Sequence, residues 1–593
     1  ALEIAGVRRL SEAPDFQIHV AIGDSLLHGT RFGLTGTQSL LGDDQYIGTG
    51  LAHAFASEDL SKVRVILGKQ YHAVVGNPPY ILVRDAALNA AYRSRYASCH
   101  RQYSLGAPFT ERFFDLAVTG AANSEAGFVG LITASSFMNC LYGAKLIEEV
   151  FPRLDLTHIV DTAGAFIPGH GTSTVILFGR HRPEVGDTVR SVMGIKSEPA
   201  QPLDPSKGLV WNAIAEQIDL PGSESEFISV SDTPRSALRK FPWSTGGGGL
   251  AELRKALENG RKPLSHLSVD AGYSVTTGDD NALLLPKDAA RRAIGLGYRA
   301  IVEGDEVRHW SIRQNGVVLW PYDEQGADLP AKQQSVHVNF LWPYRTNLKD
   351  RKAFGVPVEE KGLRWWDLRE VYRNRLKPVR TITFGEIATH NHFSAADGSS
   401  VFNRTAPVIQ LASSCSDEEF FGLLGVLNSS ICALLLRGVC RPKEGSGIGR
   451  GIQNEAWEKR YAFSVTNVVT LPLSDQRPHG IAAKIHECAL QLTAKSPAAL
   501  LQNGEQGRVP NRVDLDAASR HFIELRGRMI SFQEELDWQC YGLYGLLPEG
   551  DRPADLESEA PPALTLGERA FEIVLARRVA TGDESTSWFE RHG

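Results

Sequence analysis

The sequence contains little cysteine and no cysteine pattern that binds metal. Seven cysteines occur among 593 residues, without a C-x-x-C pair and without the spacing of zinc ligands. This excludes a zinc ribbon and a disulfide-rich secreted domain, and it predicts no metal site. Unpaired, mostly buried thiols are typical of cytosolic proteins, so we predict a cytoplasmic location.

Other features that the sequence lacks restrict the class of protein further. We find no apolar run long enough to span a bilayer and no signal peptide, so we predict no membrane association. A phosphate-binding P-loop is also absent. The formal net charge of −6 excludes a generally basic nucleic-acid coat protein. A local basic surface stays possible, because only the field near the bound phosphates matters.

The length and the strand and helix patterns predict several domains. A single core rarely grows beyond about 250–300 residues. Residues 1–180 alternate between strand-like and helix-like patterns, which predicts an α/β domain with a mainly parallel sheet. The strand patterns "LTHIVDTAGAF" and "TSTVILFGR" are joined by so short a connection that this pair is expected to be antiparallel.

Composition divides the rest of the chain. Residues 181–245 are rich in proline, glycine and serine and are predicted to be a connector. Residues 246–474 mix short β patterns with tryptophan and arginine, which predicts a second, mixed α/β domain. Residues 475–547 are mostly helical in pattern. Residues 548–593 combine an acidic, proline-rich linker with a tail that resembles part of another helix.

The most informative stretch is "VVGNPPY", residues 74–80. Two prolines in succession end a strand abruptly, so a rigid turn is the structural explanation. Average composition, however, gives Asn77-Pro78-Pro79-Tyr80 in only about one chain of this length in five hundred. A chemical explanation is therefore worth testing.

The tetrapeptide can activate an aromatic amine. In an open α/β sheet, ligands bind at the carboxyl ends of strands, where residues 77–80 are expected. Adenine N6 is a poor nucleophile, because its lone pair is delocalised into the ring. Acceptors at the Asn77 side-chain oxygen and the Pro78 carbonyl would favour a tetrahedral nitrogen and free that lone pair. Pro79 helps to hold the segment extended, and Tyr80 offers a flat face for the base.

The order of several segments resembles that of a known family. "GDSLL", "VVGNPPY", "ERFFDLAV", "GFVGLITASSF" and "IVDTAGAFIPGHGTSTVILFGR" resemble the γ-type N6-adenine DNA methyltransferases, whose catalytic loop is [DNS]-P-P-[YFW]. "KPVRTITFGEIATHNHF" and "FFGLLGVLNSSICALLL" resemble the target-recognition region of TaqI-like members. "NAAYRSRYASCHRQYSLGAPFTERFFDLA" and "GHGTSTVILFGR" resemble the methyltransferases of type 2 BREX phage-defence systems. The similarity covers nearly the whole chain.

This resemblance implies a fold and a set of ligands. The fold class is α/β, with a class I S-adenosylmethionine-dependent methyltransferase-like sheet whose N-terminal strands are missing. A mixed α/β target-recognition domain and a helical C-terminal region follow it. The implied cofactor is S-adenosylmethionine. The implied partners are double-stranded DNA and other BREX defence proteins.

The resemblance also assigns roles to single residues. Residues 77–80 match the catalytic loop, with Asn77 at both the cofactor and the target base, and Tyr80 against the base. Asp24 matches the carboxylate that binds the cofactor's adenine, although a Gly-Asp-Ser turn is also a common helix N-cap. Phe166 matches an aromatic residue that contacts the flipped base, or it belongs to the core. Asp115 falls in a motif lining the cofactor pocket, or it is an ordinary helix residue.

One motif of the family is absent. A glycine-rich D-P-x-x-G-x-G-x-F loop holds the methionine part of the cofactor in these enzymes, and an acidic residue after the next strand binds its ribose. Neither occurs in this sequence. We therefore expect an internal fragment, or a chain whose cofactor loop comes from a second chain, with little methyltransferase activity by itself.

Basic residues in the second domain suggest a DNA surface. They are interleaved with Trp342, Tyr344, Trp365, Trp366 and Tyr372, although each alone could be a solvated surface charge. The predicted DNA-binding residues are Arg345, Lys349, Arg369, Arg373, Arg375, Lys377, Arg380, Lys443 and Arg450.

Together these features predict a site-specific DNA adenine-N6 methyltransferase of a phage-defence system. The main alternative is a DNA-recognition or scaffold subunit with the same fold and no transfer activity. A protein or RNA methyltransferase is a third possibility, since protein-glutamine methyltransferases share the motif. The letters His390-Asn391-His392 invite a nuclease interpretation, which the absence of zinc ligands disfavours.

Overall fold

The structure is a computed structural model. It describes residues 19–29, 58–121, 125–169, 172–198, 201–243, 247–290, 295–353, 355–377, 379–396, 398–440, 456–502, 509–548, 561–565, 567–582 and 584–592. The chain divides into two compact units, Ala1–Ala251 and Glu252–Gly593.

The Ala1–Ala251 unit alternates strands and helices along its described residues. Its elements are α1 Leu60–Leu67, β1 Ala73–Gly76, α2 Ala86–Arg95, α3 Gly106–Leu116, β2 Phe128–Ala134, β3 Asp155–Asp161, β4 Thr174–Arg180, β5 Thr188–Gly194, α4 Leu209–Gln217, β6 Ile228–Pro234 and α5 Arg235–Leu238. Between β2 and β3 the chain follows short 3₁₀ and π turns.

Six strands of this unit form one sheet in the order β1-β2-β4-β3-β5-β6. β1 is parallel to β2, and β3 is parallel to β5. β4 is antiparallel to both β2 and β3, so the predicted antiparallel pair is confirmed. β6 is antiparallel to β5. The sheet is therefore mixed, and the prediction of a mainly parallel sheet is corrected for the described strands.

Residues 181–245, predicted to be a connector, contribute to this sheet. β5 and β6 alternate buried and more exposed side chains and pair along seven residues each. Val192 and Val230 pack with Val210 of α4. The alternating patterns of β5 and β6 are short, and the proline-rich and glycine-rich loops between them dominate the composition of this region. Composition therefore predicted a connector instead of strands.

The main core of the unit lies between the central strands and their covering helices and turns. Val129, Leu131 and Leu177 of the sheet pack with Phe114 of α3 and with Trp243. All are nearly inaccessible to solvent. Burial of each such side chain stabilises the fold by roughly 1.5–3 kcal/mol.

The Glu252–Gly593 unit has many short strands and several long helices. Its elements, the first of which crosses the division, are α6 Leu250–Glu258, β7 Lys262–Pro263, β8 Ser268–Gly272, β9 Val275–Thr276, α7 Asp280–Leu283, β10 Leu284–Pro286, α8 Lys287–Ala290, β11 Tyr298–Val302, β12 Val307–Arg308, β13 Ser311–Ile312, β14 Gly316–Leu319, α9 Ala331–Leu341, α10 Arg345–Lys349, β15 Lys352–Ala353, β16 Val356–Pro357, β17 Glu370–Val371, β18 Thr381–Phe384, β19 Ile387–Ala388, β20 Phe393–Ala396, β21 Val401–Phe402, β22 Val408–Leu411, α11 Asp417–Leu427, α12 Ser430–Val439, β23 Tyr461–Ala462, α13 Val465–Val468, β24 Pro472–Leu473, α14 His479–Ala494, α15 Pro497–Gln502, α16 Arg512–Leu543, α17 Ala570–Thr581 and α18 Trp588–His592.

Two four-stranded sheets organise this unit, in the orders β10-β14-β11-β21 and β20-β18-β22-β8. Phe384 of β18 and Phe393 of β20 share a core with Leu424, Leu436 and Leu536 from α11, α12 and α16. The predicted helical region at 475–547 contains α14, α15 and α16.

The apolar segment between residues 417 and 439 forms two helices. Asn428 ends α11, and Ser429 caps α12 by accepting from the Cys432 amide. Within the described residues, no single helix has the length and apolar character needed to cross a membrane; α11 and α12 meet those criteria only as a pair, bent by 59°.

Candidate active site

The Asn-Pro-Pro-Tyr tetrapeptide lies at the carboxyl end of an edge strand. β1 ends at Gly76, and Asn77 follows directly. β1 is parallel to β2, and β4 runs antiparallel between β2 and β3. The carboxyl ends of β1, β2 and β3 therefore meet at one edge of the sheet. That edge is where open α/β sheets bind their ligands.

Gly76 lets β1 approach helix α3 closely. A Cβ atom at this position would lie 2.7 Å from the ring of Phe113, closer than real contacts allow. Beyond Gly76, Asn77 and Pro79 are exposed, Pro78 is buried and Tyr80 is half-buried. The tetrapeptide thus presents the Asn77 amide to solvent at the sheet edge, with Pro78 anchoring the backbone.

Within the tetrapeptide, the side chains of Tyr80 and Asn77 are hydrogen-bonded. The Tyr80 hydroxyl donates to Asn77 Oδ1, and it also lies 3.3 Å from the carbonyl oxygen of Ile132 in β2. Burial raises the pKa of Tyr80, so the hydroxyl keeps its proton and acts as a donor. Asn77 Oδ1 is therefore an acceptor, and the Tyr80 hydroxyl engages it in this structure.

Phe166 lies in the turn between β3 and β4 and is half-buried. This turn follows the carboxyl end of β3, so it opens on the same edge as the tetrapeptide. Two strands separate β3 from β1 in the sheet, which at strand spacing is about 14 Å. A ligand the size of a base could lie between the two loops.

Asp24 lies in a tight turn and is engaged through both carboxylate oxygens. The Leu26 amide donates to Oδ1 at 2.8 Å, and the Tyr92 hydroxyl donates to Oδ2. The amide of Asp24 itself donates to Glu58 at 2.8 Å. Asp24 thus closes a local turn, in which no helix begins, and it stays half-buried rather than enclosed.

Two residues that hold this turn were missed at the sequence level. Arg112 of α3 is 1% exposed and donates to the carbonyls of Ser25, at 2.9 Å, and of His28. Tyr92 lies on α2. A signal for Arg112 exists in "TERFFDL", where a lone arginine follows helical spacing on an apolar face. Asp115 lies one turn after Arg112 on α3 and is half-buried.

The predicted DNA-binding residues fall into two groups. Lys349 pairs with Glu359 at 3.3 Å, and Arg380 pairs with Asp417. Arg375 donates to both oxygens of Asp270, at 2.9 and 3.0 Å, and to the carbonyl of Tyr273. These three cations are partly neutralised within their own unit.

The second group is less engaged with carboxylates. Arg373 and Lys377 are exposed, and among the described residues the structure pairs neither with a carboxylate. The Arg345 guanidinium lies over the ring of Trp342 at 5.1 Å, and Arg369 donates to Thr276 at 3.3 Å. Lys443 and Arg450 lie outside the described residues.

The tripeptide at residues 390–392 is held by hydrogen bonds and ring contacts within its own unit. Asn391 is buried and donates to the carbonyls of Leu427 and Ser429. The rings of His392 and His309 lie 6.2 Å apart, and burial lowers their pKa values to about 3 and about 4.

Across the described residues, no three His, Cys, Asp or Glu side chains form a group that could hold a metal ion. All seven cysteines lie in this described part, and none forms a disulfide.

Two families match parts of the chain. Residues 45–166 match the Eco57I restriction-modification methylase family, and residues 529–593 match a domain of unknown function, DUF7008. The first match includes the tetrapeptide and Phe166.

The adenine-specific methyltransferase PglX of Streptomyces coelicolor is 39% identical over 611 residues, which cover 100% of this chain and 50% of PglX. The chain is similar to adenine-specific methyltransferases. This confirms the resemblance inferred from the motifs. The type II methyltransferase M.PaeR7I of Pseudomonas aeruginosa is 26% identical, over 36% of this chain and 35% of its own length. The chain spans about half the length of PglX.

Solved structures of restriction-modification enzymes are also similar. The type IIL enzyme MmeI in complex with DNA has a TM-score of 0.46 at 13% identity, covering 80% of this chain and 55% of MmeI. The type ISP enzyme LlaBIII bound to DNA has a TM-score of 0.37 at 12% identity, covering 78% of this chain and 32% of LlaBIII.

Proposed function

We propose that this chain belongs to a site-specific DNA adenine-N6 methyltransferase of a phage-defence system of the BREX type. The target adenine leaves the duplex and binds between the loops that follow β1 and β3. The observation that carries the proposal is Asn77 Oδ1, an exposed acceptor held by Tyr80 at the carboxyl end of β1. The 39% identity to PglX supports the reaction class.

The tetrapeptide activates the amino group through acceptors. Asn77 Oδ1 and the Pro78 carbonyl accept the two hydrogens of adenine N6, which frees the nitrogen lone pair for attack on a methyl group. The incoming amine displaces the Tyr80 hydroxyl from Asn77, and the Tyr80 ring then stacks on the base. A strong general base is unnecessary, because the amine proton would become acidic once the methyl is attached and would pass to water, with S-adenosylhomocysteine as the other product.

S-adenosylmethionine is the cofactor we propose, and it supplies the electrophilic methyl group when bound. The half-buried Asp24 carboxylate suits the amino group of the cofactor's adenine, since carboxylate oxygens accept from N–H donors. Asp115 is proposed to line the same pocket. The sequence lacks the glycine-rich loop for the methionine part, so the residues present fit one end of the cofactor only.

The sheet itself supports a class I methyltransferase fold. Among the described strands, nothing pairs with the outer edge of β1, and Val75 on this strand is 81% exposed. The unpaired edge of β1 suits a sheet that continues past this strand, and the exposed Val75 shows that one face of β1 is uncovered. We propose that the continuing strands carry the cofactor loop and come from a segment outside the described residues.

The surface of α9 and α10 supports a DNA partner. From Ala331 to Thr346 the sequence has two cations, Lys332 and Arg345, and no aspartate or glutamate. Trp342 and Tyr344 are 59% and 40% exposed in this segment. Cations interleaved with exposed aromatic rings suit a phosphate backbone with bases nearby.

Asn77→Ala in the complete protein tests the catalytic assignment. We expect N6-methyladenine in co-expressed plasmid DNA to fall at least a thousandfold, while affinity for target duplex changes less than threefold. Asn212→Ala, an exposed asparagine on α4, is the matched control and should methylate normally. Near-normal methylation by Asn77→Ala would refute the assignment.

The same experiment distinguishes the scaffold alternative. A wild-type protein that binds duplex DNA and never yields N6-methyladenine would favour a recognition subunit. Methylation of protein or RNA with unmodified DNA would favour the third possibility.

A further inference from the structure

The turn that carries Asp24 is held from α2, the helix that follows the catalytic loop. The Tyr92 hydroxyl donates to Asp24 Oδ2, and the Leu26 amide donates to Oδ1 at 2.8 Å. Tyr96, the residue that directly follows α2, donates through its hydroxyl to the Leu26 carbonyl at 2.7 Å. The two tyrosines therefore fix the carboxylate and the backbone just beyond it.

These contacts are enclosed in a small core. Tyr92 is 6% exposed and Tyr96 is 2% exposed, and both pack with Leu26 and Leu27. A buried hydroxyl that loses its acceptor pays an uncompensated desolvation cost, so Tyr92 does not readily turn away from Asp24. The carboxylate is thus confined to one orientation.

The Tyr92 hydroxyl stays protonated and therefore remains a hydrogen-bond donor to Asp24. Burial, and next the negative charge of Asp24, raise the pKa of Tyr92 far above its ordinary value. Its hydroxyl therefore keeps its proton throughout the neutral range. Each carboxylate oxygen accepts two hydrogen bonds, so Asp24 retains acceptor capacity beyond the bonds from Tyr92 and Leu26.

Helix α2 is also firmly joined to the catalytic loop. Five residues separate Tyr80 from α2, and the last of them, Asp85, caps the helix by accepting from the Leu88 amide at 2.8 Å. The Leu105 amide donates to the Ile81 carbonyl at 3.0 Å, which fixes the start of this connection. One short segment thus links the Asp24 turn to residues 77–80.

We infer that Tyr92 is a positioning residue for the cofactor, because it orients the Asp24 carboxylate for the adenine amino group. The inference rests on the proposed function, and in particular on the role of Asp24. Loss of the Tyr92 hydroxyl leaves the reacting atoms untouched. It should therefore weaken cofactor binding and spare the methyl-transfer step.

The test compares two ligands that differ at the adenine amino group. Binding of S-adenosylhomocysteine and S-inosylhomocysteine to the complete protein is measured by calorimetry for the wild type, Tyr92→Phe, Asp24→Asn and Tyr103→Phe. Tyr103 is the matched control, since it belongs to the same core and donates to Asn89 at 3.0 Å. Methylation kinetics with S-adenosylmethionine and melting temperatures accompany the binding data.

Tyr92→Phe should bind S-adenosylhomocysteine about tenfold more weakly and S-inosylhomocysteine within twofold of the wild type. KM for S-adenosylmethionine should rise about tenfold, with kcat changed less than twofold. Tyr103→Phe should match the wild type. If Tyr92→Phe proves poorly folded, Tyr96→Phe, which removes the bond to the Leu26 carbonyl and keeps the Tyr92–Asp24 bond, should give a smaller effect in the same direction.

Three results would overturn the inference, and the first is distinguishable from the other two. If Asp24→Asn loses the preference for the adenosyl ligand while Tyr92→Phe keeps it, Tyr92 does not position Asp24. If Asp24→Asn binds both ligands like the wild type, or the wild type binds neither, the assigned role of Asp24 fails and takes the inference with it.

Discussion

The polar groups at the end of β1 and the cations of the Glu252–Gly593 unit differ in where their partners come from. Asn77 is engaged by Tyr80, three residues away. Arg375 is engaged by Asp270, more than a hundred residues away in the sequence. A motif whose geometry is set by its own backbone keeps its polar atoms at the sheet edge. A cation in such a cluster is available to a ligand only where no carboxylate from a distant part of the sequence pairs with it.

This difference separates structural cations from candidate phosphate contacts. Arg351 is 7% exposed and donates to the carbonyls of Leu348, Thr277, Trp365 and Asp367. It lies within the same basic segment as Lys349 and Lys352, yet its guanidinium holds the local backbone together. Sequence position alone does not distinguish it from its exposed neighbours.

The largest expected effect concerns this buried guanidinium. Arg351→Met should lower the free energy of unfolding by about 3 kcal/mol, because four buried carbonyls lose their donor. Urea unfolding of the full chain measures the change. Arg373→Met, an exposed arginine of the same unit, is the control and should unfold like the wild type. Equal destabilisation of both variants would contradict the division into structural and available cations.

A second prediction concerns the close approach at β1. Gly76→Val in the complete protein should lower kcat for methylation at least a hundredfold, because the new side chain displaces Phe113 and with it the end of β1. Gly130→Ala on β2 is the control, since its Cβ would meet Phe178 at an ordinary 3.4 Å. The melting temperature shows whether the variant stays folded. A folded Gly76→Val enzyme of normal activity would refute the geometric argument.

A third prediction tests the available cations directly. Replacing Arg373 and Lys377 together with alanine should weaken duplex binding about tenfold near 0.1 M salt. The slope of log affinity against log salt should fall by about 2, since each of the two cations neutralises one phosphate. Fluorescence anisotropy over a salt series measures both the affinity and the slope.

Arg375→Ala serves as the comparison for that pair. It should leave the salt slope nearly unchanged, because Asp270 already neutralises Arg375. A drop in slope as large as that of the double variant would show that ion pairing within the unit does not decide which cations meet DNA.

A fourth prediction concerns His392 of the 390–392 segment and its neighbour His309, whose rings lie 6.2 Å apart. His309 and His392 have pKa values lowered by burial to about 4 and about 3, and Nδ1 of His392 finds no hydrogen-bond partner among the described residues. The unfolded chain therefore binds more protons than the folded chain below about pH 6.5. Stability is fully present above that pH and falls as the pH decreases toward 4.

Both histidines are half-buried, so the expected loss of stability between pH 7 and pH 5 is modest, about 1 kcal/mol. Urea unfolding at the two pH values measures it. His392→Gln should lose less stability on acidification, while the exposed His479→Gln should behave like the wild type. An unchanged pH dependence in His392→Gln would show that burial does not lower the pKa of this ring in the folded chain.

The sequence predicted the strand end and its tetrapeptide well, because both depend on neighbouring residues. Prolines at 78 and 79 end β1 through their own backbone. The role of β5 and β6 was not recognised, since the pairing of β5 with β3 and of β6 with β5 depends on contacts that span loops rich in proline. The partners of Arg375 and Asp24 could not be predicted from the sequence either, because Asp270 and Tyr92 are adjacent to them only in the folded chain.

The smallest expected effect concerns the Tyr80 hydroxyl. It tests whether residues adjacent in sequence are sufficient to set the geometry of the site at the end of β1. In the base-free protein this hydroxyl donates to Asn77 Oδ1, so an incoming amine must displace it. Tyr80→Phe removes the competitor and keeps the ring. Binding of the extruded base should therefore strengthen by about twofold to fivefold, within the net value of one hydrogen bond.

Fluorescence of 2-aminopurine at the target position reports the extruded base in the complete protein. Tyr80→Ala is the contrasting variant, because it also removes the stacking surface and should weaken extrusion at least tenfold. If Tyr80→Phe instead weakens extrusion tenfold, the hydroxyl serves the bound base rather than the empty site. Asn77 would then depend on a contact that forms only with the base in place, and the local geometry of β1 would not be sufficient to define the acceptor.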